Sequence, residues 1–431
     1  MKNNKNLRNI HSNNSIRKTL QLDGRSFSTE IKLASGGRGA FEKFWKSYLQ
    51  GKEITFPVFL EKKPLRIADV FSSCGGLSLG LSLGFSSLGF QTKHSFAIDV
   101  DADALQVYKR NFAQTNCFNF SVSDAVDFSV HGDGSSAEFI NSPALNNAEL
   151  EQYVGRIDVL CGGPPCQGHS NLNNVTRRDD LRNLLYLTMP ALGIALRAPV
   201  IIIENVPLVI HDAHNVVETT RTLFEKAGYQ VFTDKLMDSK FGGVQTRERF
   251  FMVALKTTKH NSGISQFLEP LKLDPRPVSL AISDLQGKAG TGGVGAELFD
   301  TTSSLSEQNV KRIKYLFRYD KYDLPLHQRP DCHKEGTSYQ SVYGRMYWDE
   351  PAGTITTGFQ TPGRGRFVHP REPRCITPHE AARIQFFPDS YQFMLSNPMA
   401  LNRSLYSKWI GDAVPPKLGY LIGLYVASHL I

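Results

Sequence analysis

The chain has 431 residues, a formal net charge of +8, 41% hydrophobic and 21% charged residues. That is ordinary globular usage, long enough for a large lobe and a smaller one, and no apolar run reaches the length of a membrane span. Six cysteines form no CxxC pair and no cluster with zinc-ligand spacing, so reduced thiols and no structural metal are expected.

The charge is unevenly distributed. Fourteen Lys and Arg against five Asp and Glu fall within residues 1–66, giving +9 there and leaving −1 for the remainder. Bulk charge therefore says little about the rest of the chain. The N-terminus lacks an apolar h-region and does not resemble a secretory signal, so a cytoplasmic or nucleoid location is expected. Residues 1–39, rich in Asn, Ser, Lys and Gly, show no sustained period and read as a mobile basic tail, followed by one short amphipathic helix over Phe41 to Leu49. The tail is either a solvated segment or a non-specific phosphate contact.

From Leu65 the pattern becomes strand, glycine turn and helix: Leu65 to Phe71, Ser72 to Gly76, Leu77 to Leu88. Ser95 to Ile98, Ala102 to Phe112, Ile157 to Cys161, Leu184 to Leu196, Val200 to Glu204, Val216 to Ala227 and Phe250 to Leu255 continue the alternation. It predicts an α/β fold with a doubly wound, largely parallel sheet. The glycine turn fits a dinucleotide, a nucleoside or close packing, with Asp99 at the second strand's end placed to accept from a ribose. The spacing of Ser73, Gly75, Gly76 and Gly80 disfavours a pyrophosphate.

After the strand ending at Cys161 comes Gly162-Gly163-Pro164-Pro165-Cys166-Gln167-Gly168-His169-Ser170. Two glycines and two prolines stiffen this loop and present the Cys166 thiol at the sheet's C-terminal edge, a fit place for a nucleophile, whereas Cys161 reads as buried and inert. The strand Pro199 to Ile203 delivers Glu204-Asn205-Val206 to the same edge, as a pocket carboxylate or a cap. In Gln245-Thr246-Arg247-Glu248-Arg249, alternation points Gln245, Arg247 and Arg249 to one face of an incoming strand, either for phosphate and base-oxygen contacts or as a solvated charged edge. Residues 256–370 lose the alternation and read as an inserted lobe, with helical pattern returning at Pro378 to Phe386 and Lys417 to His429.

These segments, in this order from Ile67 to about Gly423, closely resemble the DNA (cytosine-5) methyltransferases, typically bacterial modification enzymes. Asp69 to Leu77 is similar to the first cofactor motif, Asp99 to the ribose ligand, and Ser123-Asp124-Ala125 to the adenine-edge motif. Pro164-Pro165-Cys166-Gln167 matches the nucleophile motif. Asp180 to Leu185, Glu204 to Val206, Gln245 to Phe251, Arg374 to Gln385 and Gly411 to Pro416 complete the series.

The resemblance implies a Rossmann-like S-adenosylmethionine-dependent domain with a smaller irregular target-recognition lobe. The implied division is a basic extension (1–64), a catalytic and cofactor domain (65–255), the target lobe (256–370) and a C-terminal return (371–431). It implies Cys166, Glu204, Arg247 and Arg249 as catalytic residues. Phe71, Ser73, Cys74, Gly75, Gly76, Leu77, Asp99, Val100, Asp124, Ala125, Pro165, Leu185, Asp412, Ala413 and Val414 would surround the cofactor. Gln167, Ser170, Arg177, Arg178 and Gln245 would contact duplex DNA, from which the target cytosine is flipped. No metal is implied, a monomer is expected, and a cognate restriction endonuclease encoded nearby is the implied partner system.

Three positions depart from the family pattern. Ser73 stands for glycine, tolerable if the turn keeps ordinary dihedrals; Val100 replaces a bulkier residue; Asp412 replaces asparagine. Asp412 is expected to alter cofactor affinity, and an Asp412→Asn variant whose cofactor dissociation constant matches the parent would refute that. Other readings fit less well. An amino-methyltransferase carries an aromatic residue where Cys166 follows Pro165, and the tRNA-modifying branch carries a Cys-Phe-Thr segment that Cys117-Phe118-Asn119 does not match. A catalytically dead DNA-binding regulator would not need Cys166, Glu204, Arg247 and Arg249 together.

Overall fold

A computed structural model describes residues 6–11, 15–22, 25–32, 40–52, 63–165, 181–257, 262–331 and 341–430. Its centre is a seven-stranded sheet built from β4 (Leu65–Val70), β5 (Thr92–Ile98), β6 (Asn116–Phe118), β7 (Val159–Gly162), β8 (Val200–Asn205), β9 (Gln230–Met237) and β10 (Glu248–Leu255). The order across the sheet is β9-β10-β8-β7-β4-β5-β6. β8, β7, β4, β5 and β6 run parallel, while β10 is antiparallel to both β8 and β9.

The central strands are apolar runs because both faces are covered. β8 is buried at every position, and Ile201 and Ile203 join one core cluster while Val200 and Ile202 join the other. Helices α2 (Gly76–Ser86), α3 (Ala102–Asn111), α4 (Thr188–Ala195) and α5 (Val216–Lys226) supply the covering layers. The C-terminal helix returns against α2, and they meet at glycines. A Cβ on Gly80 would lie 2.1 Å from the Pro416 carbonyl oxygen, and one on Gly84 2.6 Å from that of Tyr420. Backbone contact this close leaves no room for a side chain.

Strands lie within the basic extension, where the sequence shows no sustained period. β1 (Asn6–His11), β2 (Ser15–Leu22) and β3 (Arg25–Lys32) form an antiparallel meander, with Leu7 opposite Leu20 and Leu20 opposite Phe27. Backbone pairing between strands, which no composition index reports, carries this order. Helix α1 (Ala40–Leu49) forms where expected and docks on the body. Trp45 is buried, its ring 5.4 Å from those of Phe386 and Tyr420, and Asp389 N–H donates to the Leu49 carbonyl at 2.9 Å.

Residues 256–370 are less irregular than expected. They contain the twelve-residue helix α6 (Glu307–Arg318), whose Ile313 and Leu316 pack with Leu324, Val342, Val368 and Cys375. Three helices close the chain: α7 (Pro378–Ile384), α8 (Arg403–Asp412) and α9 (Pro416–Leu430). Thr377 caps α7 reciprocally with Glu380, an S/T-x-x-E capping box. Among the described residues no helix is long and apolar enough to cross a membrane.

On α7, His379 lies between Asp300 (2.6 Å) and Asp389 (2.8 Å). Burial lowers its pKa, but the two carboxylates outweigh burial and raise it to about 9. The sign follows: the stabilisation is fully present below about pH 6.5 and is lost as pH rises through about 9. His379→Gln is expected to lower unfolding stability by on the order of 2 kcal/mol near neutrality. It should also flatten the pH dependence across that window in urea titrations; parallel curves for the two proteins would refute the pairing.

Candidate active site

The C-terminal ends of the parallel strands share one edge, with Ile98, Val70, Gly162 and Ile203 aligned through successive pairings. β10 runs the other way, so its first residues reach that edge too. Glu204 at the end of β8 meets Arg249 at the start of β10, Oε1 to Nε 2.9 Å, with 9% and 14% of the side chains exposed. Burial pushes the Glu204 carboxyl up, against the pull of Arg249 and Arg247. A carboxyl whose neutral form burial favours, beside guanidinium groups that favour the charged one, is suited to sharing a proton.

The proline loop lies against this pair. Asn205 Nδ2 donates to the Pro164 carbonyl at 3.3 Å, and a Cβ on Gly163 would come 3.1 Å from Glu204 Oε2. Gly163 thus leaves space for the carboxylate, a role visible in sequence only as a paired glycine before the prolines. Pro165 is half-buried at the same edge. Cys166, Gln167, Ser170, Arg177 and Arg178 lie outside the described residues.

Two expectations about the arginine strand are corrected. Gln245 is fully buried, its amide donating to Gln385 Oε1 (2.8 Å) and the Ile384 carbonyl (3.3 Å). It ties α7 to the body and does not lie on an open face where a duplex could reach it. Arg247 is also buried, and its guanidinium donates to the carbonyls of Ile355 (2.6 Å), Gly411 (3.1 Å) and Ala413 (3.0 Å). The cause is that β10 begins only at Glu248. Gln245 instead bridges to Ala352, and Thr246 N–H donates to the Ala352 carbonyl at 2.8 Å, so this stretch is drawn into the second lobe. Of the three, Arg249 pairs with Glu204, which also feels the charge of Arg247.

Along the same edge lies a second group. Asp99, half-buried, accepts from the Ser73 N–H and the Asp101 N–H, both at 2.8 Å. Phe71 is half-buried, Val100 is 71% exposed, and Asp124 is exposed just beyond β6. Two carboxylates, an aromatic face and an uncovered valine at these strand ends form a set that fits a nucleoside: acceptors for ribose hydroxyls and a base amine, apolar surface for the base. Leu185 and Val414 are half-buried and Asp412 is exposed, whereas Ala125 and Ala413 are buried.

Within the glycine turn, the side chains of Cys74 and Leu77 turn inward. Cys74 Sγ donates to the Trp409 carbonyl at 3.4 Å, and the Tyr391 hydroxyl donates to the Cys74 carbonyl. They shape the turn through their backbone and do not face the edge. Gly75 has φ 90°, and Gly76 opens α2 against the Val414 carbonyl. The condition of ordinary dihedrals at Ser73 is not met: it sits at φ 46°, as Phe71 does at 54°, in the left-handed region. Its N–H bond to Asp99 holds that conformation in place of glycine.

Fold and edge together define a doubly wound α/β enzyme whose strand ends carry a buried carboxylate–guanidinium pair and a glycine turn with the chemistry to suit a nucleoside. The family model for C-5 cytosine-specific DNA methylases matches residues 65–426, and the chain belongs to that family. It is 38% identical over 95% of its length to the Type II methyltransferase M1.BsuMI of Bacillus subtilis, covering 92% of that protein. It is 31% identical over 84% of its length to the Type II methylase M.HgiDII of Herpetosiphon aurantiacus, covering 95% of it. The fold matches a crystal structure of a prophage-encoded DNA modification methyltransferase of E. coli with a TM-score of 0.56. That match is 23% identical in sequence and covers 85% of this chain and 98% of the other.

Proposed function

We propose that this DNA cytosine-5 methyltransferase modifies one defined sequence in duplex DNA, in a restriction-modification setting, with Cys166 as nucleophile and Glu204 and Arg249 holding the base. The observation that carries the reading is the buried Glu204–Arg249 pair at 2.9 Å, touching the loop that leads into Cys166.

Carbon 5 of cytosine is a weak nucleophile. Adding the Cys166 thiolate to carbon 6 raises electron density at carbon 5 and makes attack on a methyl donor feasible. Glu204, its pKa raised by burial, shares a proton with ring nitrogen N3 and so draws charge from the ring as the thiolate adds. Arg249 fixes the carboxylate and presents a cation to the base carbonyl oxygen. S-Adenosylmethionine, which methyltransferases of this family use, supplies the electrophilic methyl group. Asp99 would accept from its ribose hydroxyls and Asp124 from its adenine amine, and Phe71 with Val100 would line the adenine face. After transfer, the carbon-5 proton leaves to water or hydroxide and the thiolate is expelled.

A base stacked in a duplex cannot enter this edge, so the cytosine is flipped out. Sequence reading belongs to the lobe within residues 256–370. The test is bisulfite sequencing of DNA from cells expressing the protein. Conversion-resistant cytosines in one recurring sequence context are expected; complete conversion, or protection without a shared context, would overturn the reading.

A further inference from the structure

The second lobe carries a charged stripe that the chemistry at the sheet edge does not use. On α6, Lys314 and Arg318 are exposed, and Lys321 follows just beyond the helix, where its N–H closes back on the Leu316 carbonyl at 2.7 Å. The inner face of the helix, Ile313 and Leu316, is the lobe's core, so these cations point away from it. The two carboxylates that follow the helix are engaged elsewhere: Asp320 pairs with Arg345 at 3.0 Å and Asp323 with Arg366 at 2.6 Å. Among the described residues, no carboxylate pairs with Lys314, Arg318 or Lys321.

Tyr319, 51% exposed, stands beside the stripe with the Arg318 guanidinium 5.6 Å from its ring. The helix-end field accounts for a cation in the last turn, at Arg318, but not for Lys314 a turn earlier. Three uncompensated cations spread over about 10 Å match the charge spacing of a nucleic-acid backbone, with a phenol able to donate to phosphate or sugar.

We propose that Lys314, Arg318 and Lys321 clamp the phosphate backbone of the duplex outside the recognised sequence, giving affinity without reading bases. The proposal rests on the duplex-DNA reading above and adds the surface that holds the backbone.

The experiment measures equilibrium binding of the full chain by fluorescence anisotropy between 50 and 200 mM salt. Two duplexes are used, one containing the context mapped by bisulfite sequencing and one lacking it. The triple variant Lys314→Gln/Arg318→Gln/Lys321→Gln is compared with Lys63→Gln/Lys93→Gln/Arg156→Gln, which removes the same charge from exposed positions at the opposite edge of the sheet. The stripe variant is expected to bind both duplexes roughly 10- to 100-fold more weakly at low salt, with the slope of log affinity against log salt reduced by about 2 to 3. The control should keep the parental slope. An unchanged slope, an equal loss in the control, or a loss confined to the site-containing duplex would each overturn the clamp. Binding is read without methyl transfer, so its failure is distinct from failure of the methylation map.

Discussion

Glu204→Gln is expected to lower kcat by about 100- to 10,000-fold while leaving the protein folded. Glutamine keeps the shape and still accepts from Arg249 at the 2.9 Å contact, so the pocket persists. What it removes is the exchangeable proton that Glu204 shares with N3. The parent should also show a pH dependence that the variant lacks. Because burial raises the Glu204 pKa, its protonated form survives above the usual carboxylate range, and the rate should fall as pH rises through that raised value. Stopped-turnover assays across pH check both parts. A variant with the parent's kcat, or one with the same pH profile at reduced rate, would remove Glu204 from proton sharing.

Arg247→Ala is expected to destabilise the protein by about 2 to 5 kcal/mol, whatever its effect on rate. Three carbonyls would lose their donor: Ile355 in the second lobe, and Gly411 and Ala413 flanking Asp412. A buried carbonyl left unpaired costs more than the hydrogen bond contributed. Arg247→Lys should recover little, because an ammonium on a flexible stem cannot match a planar fork serving three acceptors. Since Gly411 to Ala413 borders the nucleoside edge, cofactor affinity should weaken in parallel. Denaturant titration and isothermal calorimetry report the two effects. Full stability with lost catalysis would instead make Arg247 a residue that acts on the base.

The sheet was legible because its strands are buried on both faces and read as apolar runs. Val200 to Glu204 and Leu65 to Phe71 differ from the observed strands by one residue each. β9 was not legible. Its Asp234 and Lys235 sit in an edge strand that is mostly half-buried, with neither an apolar run nor clean alternation. The N-terminal meander escaped notice for a related reason: pairing between polar strands leaves no hydrophobic period. α6 is masked by its composition, since Lys311, Lys314 and Arg318 on its outer face surround a core stripe of Ile313 and Leu316, with Tyr315 and Phe317 partly buried against it.

At the site, strand ends alone place Glu204 at the edge, whereas its pairing with Arg249 depends on the antiparallel entry of β10. The inward turn of Gln245 and Arg247 was not, because alternation holds only within a strand and these two residues precede one. Ser73 takes a left-handed turn without glycine because its N–H donates to the side chain of Asp99, remote in sequence.

The central claim is that Cys166 bonds to the target base beside Glu204. It is tested most directly with a duplex carrying 5-fluorocytosine at the mapped position and S-adenosylmethionine present. Fluorine cannot leave as the carbon-5 proton does, so elimination stalls and the enzyme stays attached. Intact-protein mass spectrometry after denaturation should show a one-to-one protein–DNA adduct, mapping by peptide digestion to Cys166, with none in Cys166→Ser. Methyl transfer to ordinary cytosine without any such adduct, or an adduct that persists in Cys166→Ser, would contradict it.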